Sequence, residues 1–451
     1  MTSNVPFVVV GAGAAGMMAA VTAAECGVDV LLLEKDVRRG CNAEFSGGLV
    51  QGAGTRFQEE QGVEDSPERL AADVVAQNRG QCDEAIVRLV ADRSADVVHA
   101  LADVVGLELH LDTRVRYSGH SRFRMHATPS ETGRELTSGL RSFVRSNPRI
   151  ELVDKAEVVD VQEAAGGLDV VVRRGGDEVD RILAANVLLA ADGFGANRDL
   201  LRRYIGEDVA AQPYVGSENC GGAGLEIGLR LGADTACMTA YEGHSHLNPK
   251  HGTRLGGALP ALGSIVVGRD GRRFAREDVT NSGFSVALLR QPEGQAVEVF
   301  DGRIHELALA NGAYAEAVDA GAVSRHDDLE GLALAFGLPV AGLVEEVRRY
   351  NEESRGVDWL GRSDERSPLA PPYYASNVSS GLVHTQGGLV IDTECRVLTP
   401  AGDVVPRLFA AGGTAAGISG RGPDTYLPGN GLAHAFATGL VAGEVVAAHV
   451  A

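Results

Sequence analysis

The chain has 451 residues, room for two domains or for one large domain with an insertion, and its 44% hydrophobic and 23% charged content is ordinary for a globular protein. A formal net charge of −20 argues against a nucleic-acid partner, because a phosphate polymer would be repelled. The six cysteines are scattered without a CxxC pair, so no disulfide framework, zinc site, iron–sulfur cluster or other metal site is expected, and the setting reads as reducing and cytoplasmic. No apolar stretch reads as long enough to span a bilayer, and the first apolar run lacks the basic segment of a secretory leader.

Taken in chain order, Phe7 to Val10 reads as a buried strand, followed by a glycine turn, an alanine-rich helix and a second strand from Asp29 to Leu33. Gly11, Gly13 and Gly16 give GxGxxG spacing: a tight turn, close approach to a pyrophosphate, and helix packed on strand. Glu34 closes the second strand, where a carboxylate accepts hydrogen bonds from ribose hydroxyls. A second Gly/Ser-rich loop, "CNAEFSGGLVQGAG", follows where an NAD domain would continue its βαβ pattern. Residues 68 to 105 carry helical periodicity, and 149 to 174 alternate as a β meander turning at Gly166-Gly167. "VLLAADGFGANRDLLRRY" is another strand, glycine turn and helix. After about residue 238, "YEGHSHLNPKHGTRLGGALPALG" reads as loop, followed by a strand in "SIVVGRDGRRFARED", helices from Ser282 to Tyr350, and a returning arm from Arg362 to Ser376. "PRLFAAGGTAAG" and "PGNGL" supply a last strand, glycine turn and helix start. Glycine-rich loops at four separated places suit a long cofactor threaded through a discontinuous domain, which means FAD. No second GxGxxG and no redox cysteine pair point to a pyridine-nucleotide disulfide reductase.

The motifs "GAGAAG…LLLEK", "SGG", "AADGFGANRDLL", "HTQGGLVID" and "LFAAGG…GNGLA" stand in the order found in the flavoprotein family of fumarate reductases, succinate dehydrogenases and 3-ketosteroid Δ1-dehydrogenases, which the whole chain resembles. The resemblance implies an α/β fold: a Rossmann-like, glutathione-reductase-type FAD domain (residues 1–238 and 384–451) with an inserted α+β cap (239–383). It implies FAD contacts at Gly11, Gly13, Ala14, Ala15, Gly16, Glu34 and Lys35, then at Asn42, Ser46, Gly47 and Gly48. Ala156, Glu157, Ala191, Asp192, Gly193 and Asn197 follow, then Gly412, Gly413, Gly429, Asn430, Gly431 and Leu432. Some relatives attach flavin to a histidine before the "GG" loop; "RGCNAEFSGG" has none, so non-covalent FAD is expected.

At the substrate site the resemblance places His384 beside the flavin and His244 at a second histidine position. Asn281 stands where the fumarate-reductase arginine acid would be, the relay positions fall on Gly257 and Pro260, and Tyr426 replaces the carboxylate-clamping arginine. An asparagine cannot protonate carbon, so the pocket reads as closer to the ketosteroid dehydrogenases. There Tyr426 and the Gly429 N–H would hold a ketone oxygen as an enolate forms, and hydride would pass to the flavin. Tyr241, His244 and Tyr117 are candidate bases, Tyr117 and Arg124 lying in a polar loop that approaches the pocket in this family. Arg421 could restore one carboxylate contact. The expected activity is α,β-dehydrogenation, or the reverse ene reduction, beside the carbonyl of a cyclic ketone or steroid-like substrate. The alternative is a fumarate/succinate- or tricarballylate-like enzyme using His384 and Arg421. The partners are a small carbonyl substrate and an electron partner left open among a quinone, an electron-transfer protein and oxygen.

Overall fold

The structure, a computed structural model, describes residues 4–175, 178–256 and 258–450; Gly257, one of the relay positions above, lies outside them. The strand β1 (Phe7–Val10) is wholly buried and runs into α1 (Ala14–Glu25), then β2 (Val30–Leu33). Only glycine permits this crossing, since a Cβ on Gly16 would lie 1.9 Å from the Gly11 carbonyl oxygen. The expected helices are α2 (Pro67–Asn78) and α3 (Glu84–Asp103), whose first turns are capped by the side chains of Ser66 and Asp83. The meander comprises β3 (Ile150–Val153), β4 (Ala156–Ala164), β5 (Gly167–Arg174) and β6 (Val179–Ala184), with Gly166 turning at φ +87°. The strand β7 (Val187–Leu189) then returns to β1.

The segment expected as loop after residue 238 instead begins with a strand, β8 (Tyr241–Leu247). Its polar residues, Glu242, His244 and His246, disguise it in the sequence, and its ladder exists only because a distant strand lies alongside. Next come β9 (Ile265–Val267), α4 (Asn281–Leu289), β10 (Gln295–Asp301) and β11 (Ser324–His326). The run expected as helices from Ser282 to Tyr350 is therefore broken by two strands. The returning arm ends in β12 (Tyr373–Thr385), a thirteen-residue strand, followed by β13 (Arg396–Leu398), β14 (Val404–Ala410) and α5 (Asn430–Val450).

Two larger sheets organise these elements, beside a small antiparallel one, β4-β5-β6. The first runs β13-β14-β7-β1-β2-β3, parallel except for β13. The second is antiparallel, β8-β12-β10-β9, with β11 also on β12. Each has its own apolar core. Tyr241 and Leu382 pack into the first, whereas Ala375 and Val378 pack into the second, so β12 runs from one core to the other.

The expectation about apolar length needs correcting. The helix α5 has 21 residues, a mean hydropathy of 1.4, and length enough to cross a bilayer. It is nonetheless a core helix, 67% buried over that window. Small residues let it press against α1: a Cβ on Gly439 would come within 2.3 Å of the Ala15 carbonyl oxygen, and one on Gly443 within 2.7 Å of that of Ala19. We expect Gly439→Ala to cost about 1–3 kcal/mol through overpacking of this contact. Chemical denaturation of the two forms measures it, and unchanged stability would contradict such close packing.

Candidate active site

A cavity of about 470 Å³ is lined from both ends of the chain and by both sheets. One part is built from backbone. Gly11, Gly13, Ala14 and Ala15 present the start of α1, a helix with no side-chain cap and no acidic residue in its first turn, so its free N–H groups form a positive end at the cavity. Glu34 is fixed beside it, one carboxylate oxygen accepting from the Ala12 N–H at 2.8 Å and the other from the Asp36 N–H at 3.0 Å. Lys35, Asn42, Ser46, Gly47, Ala156, Glu157, Ala191, Asp192, Gly412, Gly413, Gly429, Gly431 and Leu432 also line this space.

Five residues expected at the cofactor lie off the cavity wall. Gly16 packs α1 on β1, and Gly48 lies against the Thr132 backbone. Gly193 sits under the Thr385 hydroxyl, Asn197 caps the helix Arg198–Tyr204, and buried Asn430 accepts from Gln51 Nε2 at 3.3 Å.

The wall demands a polar occupant. Buried Asn219 Oδ1, Gln386 Oε1 and His434 Nε2 have no hydrogen-bond partner, although all three residues line the cavity. Leaving each unmet costs about 1–3 kcal/mol. A long ligand with a pyrophosphate, ribose and a hydrogen-bonding ring system satisfies such a wall, so the residues present fit FAD.

The remaining part carries side chains that titrate. Glu242 and His384 are partners in the β8–β12 register, and the carboxylate accepts from His384 Nε2 at 2.7 Å. Gln386 Nε2 lies 3.1 Å from His384 Nδ1, and the imidazole meets the Tyr426 ring edge-on at 5.6 Å. Burial alone would pull the His384 pKa down, but the hydrogen bond and charge of Glu242, with Asp192 behind, raise it overall. The Tyr426 oxygen accepts the Gly431 N–H at 3.1 Å. Burial first, then the Glu242 carboxylate, push that phenol well above its ordinary value, so it keeps its proton. His244 is pushed well below by burial, Arg254 and His246, and stays neutral. Tyr117 lines the cavity and is raised by burial.

The structure thus brings Tyr426, Gly429, His384, His244 and Tyr117 to one cavity, with Asn281 at the start of α4. It corrects two expectations. Tyr241 packs into the core of the first sheet, because alternation along β8 turns it away from Glu242. Arg421 is exposed, its backbone N–H bonded to Gln81, and does not line the cavity. Arg124 is buried against Asp65 and Asp73, and Pro260 is buried with its carbonyl held by Arg362. Glu242, Arg254 and Gln386 were missed. The period of two joining Glu242 to His244 was a usable signal for one of them; Arg254 left none.

The FAD binding domain family matches residues 7–432, and the chain belongs to that family. It is 30% identical over 455 residues to a probable fumarate reductase of Shewanella frigidimarina, taking in 98% of this chain and 74% of that one. The open conformation of a flavocytochrome c3 fumarate reductase superposes with a TM-score of 0.81 at 28% identity, over 100% of this chain and 79% of that one. A 3-ketosteroid delta1-dehydrogenase from Sterolibacterium denitrificans gives 0.77 at 21% identity over 99% and 100%, a likeness of fold. The protein is an FAD-dependent oxidoreductase acting on CH–CH bonds.

Glu242→Gln should lower the His384 pKa and make stability differ from wild type in a pH-dependent way. A histidine raised by its partner contributes fully below its ordinary value of 6.5 and loses that contribution as pH rises through the raised value. Denaturation across that window should show the deficit on the acid side and its disappearance on the alkaline side; a deficit independent of pH would mean the pair is not ionised.

Proposed function

We propose that the protein dehydrogenates, or in the reverse direction reduces, the carbon–carbon bond beside the carbonyl of a cyclic ketone or steroid-like substrate. The observation that carries this reading is a buried, protonated phenol, Tyr426, on the same cavity wall as Gly429. The Gly431 N–H occupies a lone pair of the phenol oxygen, so the O–H, which the Glu242 carboxylate also attracts, is the group to offer a carbonyl. With the Gly429 N–H on the same cavity wall, negative charge building on a carbonyl oxygen would meet two donors rather than a full positive charge.

When bound, FAD supplies the hydride acceptor or donor. The protein supplies the proton traffic. Polarisation by Tyr426 and Gly429 acidifies the α-C–H, and the proton goes to a neighbouring base. Of the two remaining candidates that reach the cavity, burial keeps Tyr117 protonated and keeps His244 neutral. His244 is therefore the one with an unprotonated ring nitrogen, Nδ1, which accepts the His246 N–H at 3.4 Å and takes the proton by releasing that bond. The surface position of Arg421 counts against the dicarboxylate alternative, which relied on it.

Anaerobic bleaching of the flavin by ketones but not by succinate or tricarballylate would support the reading; bleaching by the acids alone would sink it. Tyr426→Phe should lower kcat about 10²–10³-fold, the usual cost of one such donor, with FAD content unchanged. His244→Asn should cut turnover more than Tyr117→Phe.

A further inference from the structure

Arg254 is a cation without a carboxylate. Arg254 is half-buried, and the buried arginines, Arg124, Arg273, Arg362 and Arg366, each have an acidic oxygen within 4 Å. Arg254 has none among the described residues; its one hydrogen bond runs from Nη2 to the Val215 carbonyl at 2.7 Å. The nearest acidic influence is Glu242, which already holds His384 Nε2 at 2.7 Å. Enclosure pulls the Arg254 pKa down, which reflects a charge that lacks compensation.

The side chain is also held in place. The chain leaving β8 turns back so that Arg254 bridges Leu247 and the Leu255 N–H binds the His246 carbonyl at 2.9 Å. Arg254 lines the cavity together with His244 and Asn281. Asn281 begins α4, a nine-residue helix with no acidic residue in its first turn and with Thr280 capping Gly283. A positive helix end, a neutral amide and a guanidinium therefore share this wall, and the carboxylate whose charge reaches Arg254, Glu242, is already bonded to His384.

We propose that Arg254, helped by Asn281 and the amino end of α4, is the docking site for a substrate carboxylate. The substrate class then narrows to cyclic ketones that carry one carboxylate remote from the carbonyl, with the ketone at Tyr426 and Gly429. The carboxylate half stands on Arg254 alone, and the ketone half rests on the function proposed above.

Holoenzyme titrated with cyclohexanecarboxylate and with cyclohexanecarboxamide, followed by calorimetry and by the flavin spectrum, tests the carboxylate half without any turnover. Arg254→Gln should weaken the carboxylate about tenfold or more, the scale of a lost charge-assisted hydrogen bond, and leave the amide unchanged. Arg254→Lys should recover part of the loss. Equal weakening of both ligands, no weakening, or loss of FAD from both variants would overturn the anion site; the last would assign Arg254 to the cofactor. Reduction of the flavin by 4-oxocyclohexanecarboxylate and by cyclohexanone reads the ketone half separately. If neither ketone reduces it in wild type while Arg254→Gln still discriminates carboxylate from amide, the ketone reading falls and the anion site stands. If both ketones reduce it with equal kcat/KM, unaffected by Arg254→Gln, the anion site falls and the ketone reading stands.

Discussion

The charge pattern of the cavity turns on the single carboxylate of Glu242. Three groups feel it: His384, Tyr426 and Arg254. It makes a short contact with only one, His384 Nε2 at 2.7 Å. A half-buried carboxylate matched to one partner cannot fully neutralise a second. The same negative charge that raises the imidazole pKa also keeps the Tyr426 proton in place, so one residue sets an imidazole biased towards its charged form, a neutral donor and an unmatched guanidinium side by side.

That carboxylate is where it is because of strand pairing. Glu242 and His384 oppose each other on β8 and β12, separated by 142 positions in the sequence (384 − 242) and joined by register. A one-residue slip would turn both side chains to the other face. Alternation along β8 brings Glu242 and His244 both to the cavity, while His246, beyond the irregularity that follows His244, meets Glu298 and Phe284 in the second core. The cofactor end depends on the opposite device, the removal of side chains. Gly11, Gly16, Gly439 and Gly443 bring backbones so close that a single Cβ at any of them would collide with a carbonyl oxygen.

Much of the cofactor end was legible for this reason. A glycine demanded by contact within a few residues leaves a local signature, and the strand, turn and helix around Gly11, Gly13 and Gly16 stand as read. The helices over 68–105 and the meander over 149–174 were legible too, since their periodicity is local. The second sheet was not. The strand β8 carries three polar residues that face a cavity and a buried network, β10 interrupts a helical run, and β12 begins inside a proline-rich arm; each finds its partners far away in the chain.

The sequence by itself determined the flavoprotein class and the glycine scaffold of the cofactor end. Those features rest on residue identity and short spacing, which the chain states directly. The tertiary structure decided which charged groups meet. It turned Tyr241 into a core residue, left Arg421 in solvent, and brought Glu242 and Arg254 to the cavity. Charge interactions depend on distance and enclosure, and both arise only when strands from separate parts of the chain come together.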